Sequence, residues 1–292
     1  MILTPNQTAF LGPPERFCDL ETARVVIVPF GYEGGVSYGR GTALAPQTVL
    51  SASQQLEFYD EVLDKEPHRI GIATLATPDI PEDPRQMLSL LSSLASEILD
   101  RGKFPIVIGG DHSISSGTVG AIAQHYPRFG VLQLDAHADL RDTYGDDPFS
   151  HACIMSRILE ITPHTLQIGV RSLSAEEAQR VRQQALPLCT MHRWRRGSFD
   201  LKRALAALPE QIFITLDVDV LDWSVVSSTG TPEPGGMLWD EALELLEVVF
   251  AQKAVVGCDV VELSHGSDDL NSPFAVAKLI YKMIGFKFAA EL

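Results

Sequence analysis

Three short segments gather carboxylates and imidazoles at a spacing that suits metal ligation. Asp135-Ala136-His137-Ala138-Asp139 follows the apolar run Val131-Leu132-Gln133-Leu134, and Asp217-Val218-Asp219 follows Ile212-Phe213-Ile214-Thr215-Leu216. In extended backbone, alternate side chains share one side, so these groups converge instead of spreading around a helix. A third run, Pro105-Ile106-Val107-Ile108, passes through Gly109-Gly110 into Asp111-His112-Ser113, where a helix begins. The two glycines permit a tight turn and close backbone approach, which predicts His112 at the mouth of a site. Together His112, Asp135, His137, Asp139, Asp217 and Asp219 supply four carboxylates and two imidazoles. Four carboxylates collected at strand ends repel one another unless a cation lies among them. An oxygen-rich set with two imidazoles suits Mn²⁺, with Ni²⁺, Co²⁺ or Fe²⁺ as alternatives. Four carboxylates exceed what one divalent ion usually takes, whereas two ions about 3.5–4 Å apart can share bridging carboxylates. No cysteine flanks the cluster, which argues against thiol-rich structural zinc. Read singly, an Asp after a strand is a cap or turn residue, and Asp111-His112-Ser113 is an N-cap arrangement. Three such segments at three strand ends point instead to a metal site.

The elements that must position these groups are legible as alternating apolar runs and helical stretches. Strands are predicted over 24–30, 69–75, 104–108, 129–134, 166–170, 186–190, 212–216 and 255–261. Helices are predicted over 46–59, 84–101, 115–124, 151–159, 175–184, 201–208, 240–251 and 273–286. Most strand runs are continuously hydrophobic, the pattern of strands covered on both faces. The alternation predicts a mainly parallel sheet with helices on both sides, although an eight-fold repeat is equally compatible with a closed barrel. With no linker or low-complexity tract, residues 1–292 read as one domain.

Composition narrows the function classes. The chain has 292 residues, 45% of them hydrophobic, and a net charge of −15 from 38 acidic and 23 basic residues. That excludes a disordered or fibrous protein and argues against a nucleic-acid partner, which needs clustered Lys and Arg. The acidic excess reads mainly as a solubilising surface, and it also suits a cationic substrate. Cys18, Cys153, Cys189 and Cys258 have no C-x-x-C spacing and are expected to be reduced. No secretory leader and no long apolar span are visible, so no membrane contact is expected and the cytoplasm is the expected compartment.

The combined segments resemble the ureohydrolase family, the arginase and agmatinase group. The resemblance rests on Gly109-Gly110-Asp111-His112-Ser113, Asp135-Ala136-His137-Ala138-Asp139, Ser150-His151-Ala152 and Asp217-Val218-Asp219-Val220-Leu221-Asp222. Thr229-Gly230-Thr231-Pro232-Glu233-Pro234-Gly235-Gly236 and the stretch 29–53 extend it over nearly the whole chain. It implies a three-layer αβα sandwich around a central parallel sheet of eight strands, and assembly as a homotrimer or homohexamer. It also implies a pair of metal ions, expected to be Mn²⁺, held by His112, Asp135, His137, Asp139, Asp217 and Asp219. Within the family, Asp139-Leu140-Arg141-Asp142-Thr143-Tyr144 and Phe149-Ser150-His151-Ala152-Cys153 resemble agmatinases more than arginases.

The chemistry implied is hydrolysis of a guanidino compound to urea and an amine, with agmatine, giving putrescine, as the expected substrate. Arginine, guanidinobutyrate, guanidinopropionate, formimidoylglutamate and guanidine are alternatives under the same chemistry. Two metal ions would hold hydroxide near neutral pH, and Asp219 would help stabilise the tetrahedral intermediate. His151 matches the family's proton-transfer histidine, and Glu262 matches the glutamate that pairs with the guanidinium through parallel hydrogen bonds. The chain departs from the family pattern at Leu263-Ser264-His265 and at Trp223, changes expected to reshape the pocket wall. Arg141 is a candidate partner for a carboxylate-bearing substrate. A non-catalytic metal-bound subunit and a single-zinc deacetylase are the competing readings. Of the remaining signals, the glycine-rich stretch 31–39 lacks the Gly-Lys-Ser/Thr ending of a phosphate loop. Arg193-Trp194-Arg195-Arg196 reads as a solvated loop, His265 as an exposed loop residue and Trp239 as packing.

Overall fold

The computed structural model describes residues 3–265 and 268–292; Met1 and Ile2, the start of the stretch read for a leader, lie outside them. Eight strands form one sheet: β1 (Val25–Phe30), β2 (Ile72–Thr74), β3 (Phe104–Gly109), β4 (Gly130–Leu134), β5 (Thr165–Val170), β6 (Leu188–Thr190), β7 (Gln211–Asp217) and β8 (Ala254–Val261). Their order is β2-β1-β3-β8-β7-β4-β5-β6, with every neighbouring pair parallel. The helices are α1 (Ala45–Ser53), α2 (Pro84–Asp100), α3 (Ser115–His125), α4 (Ile154–Ile161), α5 (Ala175–Gln184), α6 (Met191–Arg195), α7 (Leu201–Ala207), α8 (Trp239–Gln252) and α9 (Asn271–Phe288).

The pleat divides each strand's side chains between two cores. Val25 and Ile27 belong to the core that residues of α1, α8 and α9 complete, whereas Val26 and Val28 belong to the one containing Met87, Leu91, Leu94 and Ile98 of α2. Further along the sheet, Val131 and Phe213 pack with residues of α3 and α4. Helices thus cover both faces, and β2 and β6 remain as edges, which settles the open αβα sandwich over the barrel. Among the described residues no helix is long and apolar enough to cross a membrane.

Several predicted elements are shorter than their apolar runs. The run 69–75 yields only Ile72–Thr74, because Pro67 opens a 3-10 turn through Ile70 and Gly71 follows at φ +85°. The helix expected over 46–59 stops at Ser53, whose hydroxyl turns back to the Leu50 carbonyl. The basic run 193–196 is solvated, its three arginines being exposed, but not a loop: Arg193 to Arg195 belong to α6, whose N-cap Thr190 accepts from the Arg193 amide at 3.3 Å. Five residues are too few for periodicity to register. Trp239, half-buried at the start of α8, does pack on the core.

Register explains where the site lies. Strands β3 and β4 are consecutive in sequence but separated in the sheet by β8 and β7, the kind of topological switch point where α/β sheets bind ligands. In register, Leu134 pairs with Leu216 and Asp217 with Val261, so the residues just past each strand emerge at one edge. The turn leaving β3 depends on Gly110: a Cβ there would lie 1.8 Å from the Tyr32 carbonyl oxygen. Its amide donates to the Phe30 carbonyl at 2.9 Å, which locks the approach. Gly110→Ala is therefore expected to lower unfolding free energy by about 2–3 kcal/mol in a denaturant titration. An unchanged midpoint would contradict this account of the turn.

Candidate metal centre

His112 sits at the centre of the acidic cluster. Its Nδ1 lies 3.1 Å from Asp135 Oδ2, 3.4 Å from Asp139 Oδ2 and 3.4 Å from Asp217 Oδ2. A second imidazole, His137, places Nδ1 2.8 Å from Asp219 Oδ2 and 3.6 Å from Asp135 Oδ1. Single ligand atoms of His112, Asp135 and Asp139 lie within 4.8 Å of one another, as do those of Asp135, His137 and Asp219. Asp135 belongs to both groups. The five residues picked out by alternation, and His112 from the glycine turn, are thus gathered at one place.

The local backbone aims these groups. Asp111 caps the 3-10 turn that opens with His112, accepting from the Ser113 amide at 3.0 Å, so the N-cap reading of that residue holds. His112 is fully buried beneath the carboxylates, not at the mouth of the site, because the Asp111 cap turns the chain inward. Its Nε2 meets Thr215 Oγ1 at 2.8 Å, which leaves Nδ1 for the carboxylates. Asp217 and Asp219 each commit one oxygen to a backbone amide, of Asp219 at 2.8 Å and Ala136 at 3.0 Å. The other oxygen of each faces an imidazole. Asp139 holds a left-handed φ of +51°. Such conformations cost on the order of 1–3 kcal/mol, and the surrounding contacts must hold them.

Protonation in the cluster reports a deficit of positive charge. Burial opposes a charge on His112, yet Asp135, Asp139 and Asp217 hold its pKa well above the ordinary value. Burial also opposes charge on His137, and Asp135 and Asp219 nonetheless push it up to about 12. Burial and the Asp135 charge raise Asp139 to about 7, and burial with Asp219 and Asp135 raises Asp217 strongly. Meanwhile His112 Nδ1 and Asp219 Oδ2 are buried without a well-formed hydrogen bond, their near neighbours being other members of the cluster. Orphaned ligand atoms within a crowd of acids fit divalent cations, which replace the protons and satisfy both atoms.

Beside the cluster lies a second pair. His151 Nδ1 is 3.0 Å from Glu262 Oε1, and the same oxygen accepts from the His112 amide at 2.7 Å. Burial opposes a proton on His151, but Glu262 raises it to about 9. Glu262 holds φ at +65°, rare for a long side chain, with its amide on the Gly110 carbonyl at 2.9 Å. Its second oxygen, Oε2, is buried without a partner. His151 Nε2 meets Ser37 Oγ at 2.8 Å. Ser37, His137, Asp139, His151 and Asp217 line a cleft of about 260 Å³, with Arg141, Tyr144 and Glu177 farther along its wall.

Sequence reasoning missed the groups that support the ligands. Gln133 donates to Asp135 Oδ2 at 2.6 Å, and Gln167 in turn donates to Gln133. In the stretch 31–39 the Gly35 amide donates to Asp111 at 2.7 Å and the Gly35 carbonyl accepts from the His151 amide at 3.1 Å. Polar residues inside doubly covered strands, Gln133, Gln167, Thr215 and Asp259, were the available signal. Trp223 and His265 are exposed, and Arg141 stacks on Tyr144 with 5.2 Å to the ring centroid.

The arginase family model matches residues 23–285. The chain is 36% identical to an N(1)-aminopropylagmatine ureohydrolase of Synechocystis sp., over 97% of this chain and 96% of that protein. It is 31% identical to an agmatinase of Pyrococcus horikoshii, over 91% of this chain and 93% of that one. Among solved structures, the agmatine ureohydrolase of Thermoplasma volcanium superposes with a TM-score of 0.87 at 25% identity, covering 98% of this chain and 96% of its own. With sheet order, ligand cluster and sequence in agreement, this chain belongs to the arginase family of metal-dependent ureohydrolases.

Proposed function

We propose that this protein hydrolyses the guanidinium group of a polyamine-type substrate, releasing urea and an amine, with two Mn²⁺ ions as its cofactor. The observation that carries the reading is the unpartnered, buried Glu262 Oε2 beside two ligand groups that share Asp135. His112, Asp135, Asp139 and Asp217 would hold one ion, and Asp135, His137 and Asp219 the other. Mn²⁺ suits this oxygen-rich set with two imidazoles, although Ni²⁺ or Co²⁺ can occupy it. When bound, the pair supplies a nucleophile at neutral pH by lowering the pKa of water.

The remaining steps belong to the protein's own side chains. Glu262 accepts N–H groups of the planar guanidinium through Oε2, while Oε1 stays fixed by His112 and His151. Asp219, with one oxygen on the Ala136 amide, would help stabilise the tetrahedral intermediate through the ion that its other oxygen would hold. Protonated His151 donates through Nε2 to Ser37 Oγ, and the Ser37 hydroxyl faces the cleft, so a proton given to the departing amine is replaced from the imidazolium.

Agmatine, giving putrescine, is one substrate of this class. Its aminopropyl derivative is the second reading, favoured by the 36% identity to the Synechocystis enzyme. The cleft wall bears on the choice: Glu177 accepts from the Leu140 and Ser174 amides, at 2.9 and 2.6 Å, and also stands 3.9 Å from Arg141 Nε on the same wall. A homotrimeric or homohexameric, cytoplasmic enzyme completes the proposal; light scattering on the eluted protein checks the assembly.

Urea release from a panel of guanidino compounds, with protein loaded separately with Mn²⁺ and Ni²⁺, is the direct test. Turnover is expected for agmatine or aminopropylagmatine and not for arginine; no urea from any compound with both ions bound would sink the reading. Glu262→Gln is expected to keep its metal but lose at least about 10²-fold in kcat/KM, and unchanged turnover would refute its role. Asp217→Asn is expected to lose metal and activity together. Since Asp139 titrates at about 7 and His137 at about 12 without a cation, loading displaces protons. Mn²⁺ affinity should therefore tighten from pH 6 to pH 8, and a flat profile by equilibrium dialysis would contradict the cluster's charge balance.

A further inference from the structure

One buried acid takes no part in the proposed ligand set. Asp259 lies in β8, inside a run that is otherwise apolar, and is completely buried. Neither of its oxygens makes a hydrogen bond of ordinary length and angle, although polar groups of β7 and of the start of α3 stand around it. In the parallel register it stands beside Thr215 of β7. Burial raises its pKa to about 6, and the His112 charge, the Thr215 and Ser115 hydroxyls and the Leu216 amide act against the rise. Thr215 Oγ1 meets His112 Nε2 at 2.8 Å on one side and Ser115 Oγ at 3.1 Å on another.

Proton counting gives this arrangement a direction. A carboxylate accepts only, so it turns the hydroxyl proton of Thr215, its neighbour in register, toward itself. The Thr215 lone pairs are then turned toward His112, which must donate through Nε2. Neutral imidazole carries one N–H, so Nδ1 is left as a lone pair among Asp135, Asp139 and Asp217. Replace the carboxylate with an amide, and the amide can donate to Thr215. The threonine hydroxyl can then donate to Nε2, which moves the imidazole proton to Nδ1 and blocks ligation.

We infer that Asp259 is a positioning residue for the metal centre, acting through Thr215 to keep His112 in the tautomer whose Nδ1 binds the cation. The inference rests on the metal-centre reading above and concerns one ion of the two, because Thr215, the neighbour of Asp259 in register, meets His112. Partners of this kind typically contribute ~10–100-fold to metal affinity.

The test is Mn²⁺ titration of the full chain by equilibrium dialysis, with the Mn(II) electron paramagnetic resonance spectrum recorded at two equivalents. Asp259→Asn, close to isosteric, should weaken one of the two ions by ~10–100-fold and replace the coupled-pair signal with the six lines of a single ion. Thr215→Val should do the same, and Thr215→Ser should bind both ions like the wild type. Combining Asp259→Asn with Thr215→Val should add little, because both act on one proton arrangement. Affinities within about twofold of wild type, equal weakening of both ions, or full additivity would overturn the inference. If Asp259→Asn does not fold, the Thr215 pair carries the test, and equal affinities for the valine and serine variants reject it. Wild-type protein that takes up no Mn²⁺ overturns the metal-centre reading and this inference together. Metal uptake without hydrolysis of any guanidino compound overturns only the proposed function.

Discussion

Four aspartates converge at the carboxyl ends of adjacent strands, deep enough that water cannot screen them, and this repulsion governs the rest of the site. An unpaired buried carboxylate is among the most expensive groups a protein can hold. Here the acids respond by taking up protons or by forcing them onto His112 and His137, against the burial that opposes charged imidazole. Two divalent cations would resolve the conflict, since they would supply four positive charges and accept the lone pairs that face the cluster. Folding delivers the acids with fixed aim: Asp217 and Asp219 each spend one oxygen on a backbone amide and keep the other for the site.

The same geometry joins the metal centre to the substrate end. Glu262 binds the His112 amide and the His151 ring through one oxygen, so the residue proposed to hold the guanidinium is set by a ligand's own backbone. Its left-handed conformation is held by the Gly110 carbonyl, and Gly110 is the position where β3 passes too close to Tyr32 for any side chain. One glycine thus fixes both the turn that carries His112 and the anchor of Glu262. The overall charge of −15 acts at longer range, favouring approach of a cationic compound.

How far this could be read from sequence depended on distance along the chain. Asp135, His137 and Asp139 are legible because alternation within one extended segment fixes their common direction, and Asp217 and Asp219 follow by the same rule. The sheet was legible from continuous apolar runs, though only the family resemblance separated an open sandwich from a barrel. His112 was placed too near the surface, since the inward turn comes from the Asp111 cap and a contact with Tyr32 far away in sequence. Short elements such as α6 escaped because five residues carry no period. The supporting shell of Thr215, Gln133, Gln167 and Asp259 was hidden for another reason: each is a single polar residue in an apolar run, and its partner lies on a different strand.

Crystals grown with Mn²⁺ and measured at the manganese absorption edge test the central claim most directly. The account predicts two anomalous peaks, one among His112, Asp135, Asp139 and Asp217 and one among Asp135, His137 and Asp219, with Asp135 touching both. A single peak, or none at this cluster, would contradict it.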